Sequence, residues 1–563
     1  MTIIEKRWEV MPRVTPQAEQ GLERFPPVLR QILFNRGFGD YERAAEFLRA
    51  KPSGEADPYL LTDMNVAVER ITTAIDQGEK IVVYGDYDAD GVTSTALMMQ
   101  TLTALNATAE AYIPNRFDEG YGLNAEALSA LCEAGTKLVI TVDCGIRAVA
   151  EVKHANEIGL DIIITDHHNL GPELPPALAI VNAKREHDAY PDKNLAGVGT
   201  AYKLAEALLN RYENTQLKKE QLLDLVAVGT IADLVPLDGE NRALVRAGLR
   251  QMKQPQRQGL LSLMNVASIR PSKINAGDIG FGIGPRLNAA GRLDSALAAY
   301  ELLTTTDLRS AAVLAQELDN QNRERQQITR DMQELAEEIA FAGEEIPNLI
   351  FVAHPEFNPG VVGLAASRLM DTYYRPAIVA EQGEEFTRGS CRSIPEFHIT
   401  DALDQCADLL THHGGHAAAA GFTVPNENVP EFTARLKQLA DEKLAGKDLR
   451  PVLSIDAEVR LSDLTHELLN HMTWLQPTGY GNREPVFLTR NAKVYKSRQV
   501  GRDGTHLKLT LTDGKNYLDA IAFRFGAMHR DLPTYIDLVY NFEENEFNGR
   551  VSLQLNIRDI KPA

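Results

Sequence analysis

At 563 residues, with 44% hydrophobic and 24% charged residues, 40 glycines and 27 prolines, the chain has the size of three or four globular domains, and collagenous, disordered and disulfide-scaffold classes are excluded. A formal charge of −20 argues against coating nucleic acid or an anionic membrane by bulk attraction, although a local basic channel fits on an acidic body. Cys132, Cys144, Cys391 and Cys406 show no C-x-x-C spacing, and neither a signal peptide nor a run of ~18 apolar residues is evident, so a reducing, cytoplasmic setting without a membrane span is expected.

Residues 1–70 read as helical and peripheral, without identifiable chemistry. From residue 78 a strand–loop–helix rhythm sets in: an apolar run at 81–84, a polar turn, then a helical stretch at 94–105. It recurs as helix 124–134 before strand 137–142, helix 148–158 before strand 161–165, and a further strand at 178–182. Such alternation predicts a parallel sheet covered on both faces, and with the helical stretches 200–212 and 221–234 it forms a first α/β domain over 71–305. Leu314, Leu318, Ile328, Met332, Leu335 and Ile339 then recur at helical spacing in a long connecting helix, 306–342, whose interval 313–330 is polar enough to suggest solvent exposure over part of its length. A second α/β pattern, 343–447, holds runs at 349–352, 363–371, 376–380 and 400–410. Five alternating runs at 494–500, 507–512, 518–523, 536–542 and 551–557 suit a small barrel of the oligonucleotide-binding kind within 448–563. The expected fold is therefore α/β: two α/β domains joined by a long helix, followed by a C-terminal OB-like β-barrel.

Three consecutive strands run into potential metal ligands. The first leads into Gly85-Asp86-Tyr87-Asp88-Ala89-Asp90-Gly91, the next into Asp143, and the next into Asp166-His167-His168. Strands of an open parallel sheet share one carboxyl edge, so these loops should converge on one cleft. Several carboxylates in a cleft repel one another until protons or cations relieve them, and oxygen ligands mixed with imidazole suit Mn²⁺ or Mg²⁺. Two such ions would activate water and clamp both oxygens of a displacement at phosphorus, which implies phosphoester hydrolysis. A calcium loop is a poor alternative, because position 12 counted from Asp86 is Leu97 instead of a glutamate. Turn formation alone accounts for one Asp-Gly after a strand but not for three instances in successive units.

These segments, with Val142-Asp143-Cys144-Gly145, resemble the DHH phosphoesterase family, and their order resembles its bacterial branch of single-strand-specific exonucleases. By motif, the resemblance implies metal-site and catalytic roles for Asp88, Asp90, Asp143, His167, His168 and Asp233, the last in Gly229-Thr230-Ile231-Ala232-Asp233, with Asp86 as an additional metal-site residue and Asp166 orienting a histidine. Tyr84 stands where many relatives carry a histidine, a difference shared by that branch.

In the second half, Gly414-Gly415-His416 opens a glycine-rich turn running to Gly421 whose backbone N–H groups suit a phosphate, and Gly389-Ser390-Cys391-Arg392-Ser393 offers hydroxyls and a guanidinium. The resemblance implies a 5′-end pocket using Gly415, His416, Ser390 and Arg392, joined by Arg116 and Arg286. Asn358 occupies a position where that branch usually has histidine. Lys493, Lys496, Arg498, Arg502, Lys508 and Arg524, interleaved with Tyr495, Tyr517 and Phe523, fit a single-strand groove on the barrel. The implied activity is 5′-to-3′ degradation of single-stranded DNA to 5′-mononucleotides with two Mn²⁺ or Mg²⁺ ions, in repair and recombination, by a monomer with a single-strand-binding protein and a helicase as partners. The alternatives are a DHH phosphoesterase acting on pyrophosphate, cyclic dinucleotides or oligoribonucleotides, and a non-catalytic scaffold.

Overall fold

In the computed structural model, which describes residues 4–50, 56–115, 119–120, 122–212, 215–293, 295–341, 346–547 and 549–563, the apolar runs of the first α/β segment become five parallel strands. They are β1 (Lys80–Gly85), β2 (Ala109–Tyr112), β3 (Thr136–Val142), β4 (Asp161–Thr165) and β5 (Ala179–Val181), in the order β2-β1-β3-β4-β5. Side chains alternate across a strand, so every second residue must find a different cover. Ile81, Val83, Leu138, Ile140 and Ile163 pack with helices α1 (Ala89–Ala104), α4 (Gly197–Arg211) and α5 (Leu223–Ala232). Val82, Tyr84, Val139, Ile162 and Ile164 pack on the other face with Leu128 and Leu131 of α2 (Ala125–Glu133) and Val152 and Ala155 of α3 (Val149–Glu157). Both faces are thus dry, which leaves the strand ends as the place for polar groups. The order reverses between β1 and β3, which opens a crevice at their carboxyl ends.

Contacts divide the chain into two units, one of residues 12–322 with 464–485, the other of the chain up to residue 11 with 323–463 and 486–563. The N-terminal helices are less peripheral than expected: Leu22, Leu29, Ile32 and Leu33 are fully buried, because their apolar stripes pack into the first unit. The strand Arg7–Val10, for its part, pairs in parallel with Val452–Ile455 in the second. Within the first unit, Arg242 of α6 (Gly239–Met252) is 1% exposed and donates to the carbonyls of Phe47, Trp474, Gln476 and Pro477 at 2.9, 3.2, 2.9 and 2.9 Å. Burial brings this guanidinium down to about 9, helped by the neighbouring Arg246 and Arg36. The first unit continues with α7 (Gly284–Leu293), and the chain passes to the second within α8 (Leu308–Phe341). Ala311, Ala315 and Leu318 of α8 join the first unit's core, and Met332 and Ala336 a core of the second. Over 313–330 this helix is exposed along one side, while buried Asp319, Asn322 and Thr329 line the other, so its inward stripe continues in polar residues.

The second unit holds a mixed sheet of β6 (Ile350–His354), β7 (Ala377–Gln382), β8 (Phe386–Arg392), β9 (His412–His416) and β10 (Ala419–Pro425), ordered β9-β10-β8-β7-β6, with only β6 and β7 parallel. Helix α9 (Val362–Tyr373) covers Ile350, Val352 and Val379, while Phe432 and Leu436 of α10 (Val429–Leu444) cover Ile378, Phe422 and Val424. The glycine-rich stretch expected as a turn is a hairpin, β9 and β10, with only Ala417 and Ala418 between them. Glycine is needed there because Gly415 has φ +150 and a Cβ would meet the Ala419 carbonyl at 2.4 Å. The helix expected over 400–410 ends at Asp404 and gives way to a short turn at Ala407–Leu409. Finally β11 (Phe487–Val500), β12 (His506–Thr512), β13 (Tyr517–Ala522), β14 (Tyr535–Phe547) and β15 (Arg550–Pro562) pair in the cycle β11-β12-β13-β15-β14-β11, the closed five-stranded barrel that the alternating runs imply. No helix among the described residues is long and apolar enough to cross a membrane.

Candidate metal centre

The crevice at the switch between β1 and β3 is built from strand ends and one helix end. After β1, Asp88 caps α1 by accepting the N–H groups of Asp90 and Gly91 at 2.9 and 3.1 Å. Capping fixes the loop so that Asp86, Asp88 and Asp90 lie around the start of the helix. After β3, Asp143 takes the left-handed region, φ +62, while its N–H bonds the Thr165 carbonyl at 3.0 Å. An L-residue there is strained, and the strain is held by the sheet on either side. After β4 come His167 and His168, and Asp233 is the cap residue at the end of α5.

Three ligand sets converge: Asp86, Asp88 and Asp143; Asp90, His167 and Asp233; and Asp143, His167 and His168, each with its donor atoms within 4.8 Å of one another. His167 Nε2 stands 3.1 Å from Asp143 Oδ1, 3.5 Å from Asp233 Oδ2 and 3.9 Å from Asp90 Oδ2. Asp143 Oδ1 and His167 Nε2 are both buried and make no hydrogen bond, a condition that costs free energy unless something positively charged lies between them. The donor set of carboxylate oxygens and imidazole nitrogens fits a hard divalent cation, so the residues present fit Mn²⁺ or Mg²⁺.

The histidines are oriented from behind. His168 Nδ1 lies 2.8 Å from Asp166 Oδ1, which also accepts the N–H groups of His167 and His168, while Asp166 Oδ2 accepts the Ile146 N–H at 2.9 Å. With Nδ1 donating, the His168 tautomer carries its lone pair on Nε2. Burial works against the charged form of Asp166, yet the His168 hydrogen bond and charge outweigh it and hold the carboxyl below the usual range. The other carboxyls go the opposite way. Burial, then Asp90, Asp88, Asp86 and Asp233, push Asp143 well up; burial and Asp88 raise Asp90 to about 7; burial, Asp90 and Asp88 raise Asp233 to about 9. His167 falls to about 3 through burial and its neighbour His168, which keeps it neutral and able to ligate.

Backbone and small residues that sequence reading does not reveal complete the centre. The first N–H groups of α4, at Gly197 and Val198, donate to Asp90 at 2.7 and 2.9 Å. A Cβ on Gly197 would lie 2.5 Å from Asp143 Oδ1, and one on Gly229 2.7 Å from Asp90 Oδ1. Asn288 of α7 accepts the Ala89 N–H at 2.7 Å, and half-buried Lys184 adds a cation near Asp166 and Asp233. Nothing about Lys184 or Asn288 marks them in the sequence, since single polar residues in helices and loops are common.

Of the residues expected to hold the substrate, Ser390 and Arg392 meet on β8, where Arg392 donates to Ser390 Oγ at 2.9 Å. Gly363, near the start of α9, makes room for them: a Cβ there would lie 2.9 Å from the guanidinium and 3.0 Å from Ser390 Oγ. Among the described residues no carboxylate pairs with Arg392, whose basicity burial lowers. Asn358 Oδ1 accepts the Gly360 N–H at 2.8 Å, and exposed Gly415 and His416 lie on β9. In the first unit, Arg286 is tied to buried Asp319 at 2.8 Å and to the Gly282 carbonyl at 2.7 Å. Arg116 lies outside the described residues.

Comparison with known proteins agrees with this architecture. Residues 80–230 match the DHH family, N-terminal domain; 346–442 match the DHHA1 domain; 455–559 match the RecJ OB domain. The single-stranded-DNA-specific exonuclease RecJ of Bacillus subtilis (strain 168) is 42% identical over 565 residues, covering 99% of this chain and 71% of that protein. The protein of the same name from Salmonella typhimurium is 37% identical, over 95% of this chain and 96% of the relative. The chain belongs to the RecJ family. The crystal structure of RecJ in complex with Mn²⁺ from Thermus thermophilus superposes with a TM-score of 0.85 at 31% identity, covering 99% of this chain and 80% of that one. A second RecJ structure from that organism, in complex with Mg²⁺, gives 0.79 at 30% identity over 99% and 79%. The RecJ likeness thus extends over both α/β domains and the barrel.

Proposed function

We propose that this chain is a metal-dependent exonuclease that removes nucleotides one at a time from the 5′ end of single-stranded DNA, releasing 5′-mononucleotides. Its centre holds two divalent ions, Mn²⁺ or Mg²⁺, on Asp88, Asp90, Asp143, His167, His168 and Asp233, with Asp86 beside them. The observation that carries this reading is the unpartnered pair Asp143 Oδ1 and His167 Nε2, buried 3.1 Å apart among four further carboxylates. Membership of a family whose relatives are named as single-stranded-DNA-specific exonucleases supplies the substrate.

When bound, the ions supply Lewis-acid charge at the scissile phosphate and make water acidic enough to attack at neutral pH. The protein's own part is placement. Asp143, shared by two of the ligand sets, holds the centre together, and the N-terminal amides of α4 fix Asp90. Asp166 sets the His168 tautomer, and burial keeps His167 uncharged. Arg392 and Ser390, flanked by Gly363, present donors for a terminal phosphate, which supports a 5′-end anchor; His416 and Gly415 add to it. On the barrel, exposed Tyr495 and Tyr517 stand 5.1 Å apart with Lys496 over Tyr495, an arrangement suited to stacking on bases beside a phosphate. Because a base already stacked in a duplex is not offered to such surfaces, a helicase and a single-strand-binding protein are the partners this chemistry calls for. Cytoplasmic monomers complete the reading.

The test is a set of 5′-labelled and 3′-labelled single strands, duplex DNA and pyrophosphate, each incubated with Mn²⁺ or EDTA. Ordered loss of 5′ nucleotides from single strands alone, abolished by EDTA, is expected. Turnover of pyrophosphate instead would assign the small-substrate branch, and absence of any turnover a scaffold.

A further inference from the structure

The most exposed large apolar side chain among the described residues is Phe281, at 89%. It stands in the middle of a single π-helical turn, Ile279–Ile283, between Gly280 and Gly282. Such turns are rare and concentrate at functional sites. The turn is held on its inner side. Ile279 and Ile283 are fully buried on its inner side, a Cβ on Gly282 would lie 2.8 Å from Ile269, and one on Gly280 3.6 Å from Ile231.

That location adjoins the metal centre. Ile231 and Ala232 form the last turn of α5, whose cap is Asp233, and Gly284 at the start of α7 comes within 3.2 Å of the Ala232 methyl, measured from an added Cβ. Further along the same continuous helical run, Asn288 bonds the Ala89 N–H between Asp88 and Asp90. The run thus reaches from the Asp233 side of the crevice to the Asp88–Asp90 side, with Phe281 one turn before α7 begins. Leu234, immediately after Asp233, is 67% exposed and holds φ +60. Phe281 thus stands in water on a turn packed against the end of the helix that Asp233 caps, and Leu234 stands in water directly after Asp233.

We propose that Phe281 is a stacking platform that holds a nucleobase of the strand entering the metal centre. The inference rests on the function proposed above and names a positioning residue for it. Every base has a π-face, so such a platform tolerates all sequences, and it is useful only for a base released from its duplex neighbours. It thereby adds to the preference for single strands.

The experiment uses the full chain and compares Phe281→Ala and Phe281→Trp with the unsubstituted protein, on an oligothymidylate and on an abasic strand of equal length. Binding is measured by fluorescence anisotropy in EDTA, cleavage with Mn²⁺. Because the ring is exposed, melting temperatures should stay the same. Phe281→Ala should weaken oligothymidylate binding and raise its KM by about tenfold or more, change either value for the abasic strand less than about twofold, and be rescued by Phe281→Trp. Equal losses on both strands, or none on either, would overturn the proposal. A parent protein that neither binds nor cuts oligothymidylate rejects the exonuclease reading itself, and this inference with it.

Discussion

Asp143 is the residue on which the most lines meet: it belongs to two of the three ligand sets, has a left-handed backbone, and ends in an oxygen without a protein partner. Asp143→Ala should abolish hydrolysis, at least ~10²-fold, while single-strand binding in EDTA is retained. Retained cleavage would remove the assignment. Asp166 acts through His168, so Asp166→Ala should weaken Mn²⁺ binding by roughly 10- to 100-fold in calorimetric titration, with excess Mn²⁺ recovering much of the turnover. The raised carboxyls also set a pH dependence. Asp90 and Asp233 titrate near 7 and 9 in the folded chain against 3.8 ordinarily, so between these limits the metal-free folded state holds more protons than the unfolded one. Stability contributed by their neutral forms is complete below about pH 4 and is lost as pH rises through the folded values. The lowered His167 acts oppositely, but only below its ordinary 6.5. Differential scanning calorimetry of the metal-free chain should therefore show a melting temperature falling from about pH 7 to about pH 9, and Mn²⁺ should raise it more at the alkaline end.

Elements position these residues, and there sequence reading succeeds unevenly. The continuous apolar runs ending in aspartates made the first sheet and its acidic rim legible, since strands of a parallel sheet buried on both faces read as such runs. What was illegible is backbone chemistry. No residue type announces that the amides opening α4 hold Asp90, or that Gly197 exists to leave room for Asp143. The Gly414–Gly421 hairpin was read as a turn because glycine and alanine carry no periodicity, and the buried polar stripe of α8 was not legible because Asp319, Asn322 and Thr329 look like surface residues until their burial is known. Gly197→Ala tests the α4 contact: the added methyl would sit 2.5 Å from Asp143 Oδ1, so metal affinity should drop while circular dichroism shows a folded chain destabilised by about 1–3 kcal/mol. On the barrel, Tyr495→Ala should cost roughly 1–3 kcal/mol of single-strand affinity at fixed salt, read by fluorescence anisotropy.

For the whole molecule, the path of the chain matters as much as its domains. It crosses between the two units at residues 11, 322, 463 and 485, and the excursion 464–485 delivers to Arg242 three of its four carbonyl acceptors. A premature stop near residue 447 therefore removes more than the barrel. It leaves Arg242, buried in the half that bears the aspartates, without three of its acceptors, and a chain ended there should melt at a lower temperature than the whole one in differential scanning calorimetry.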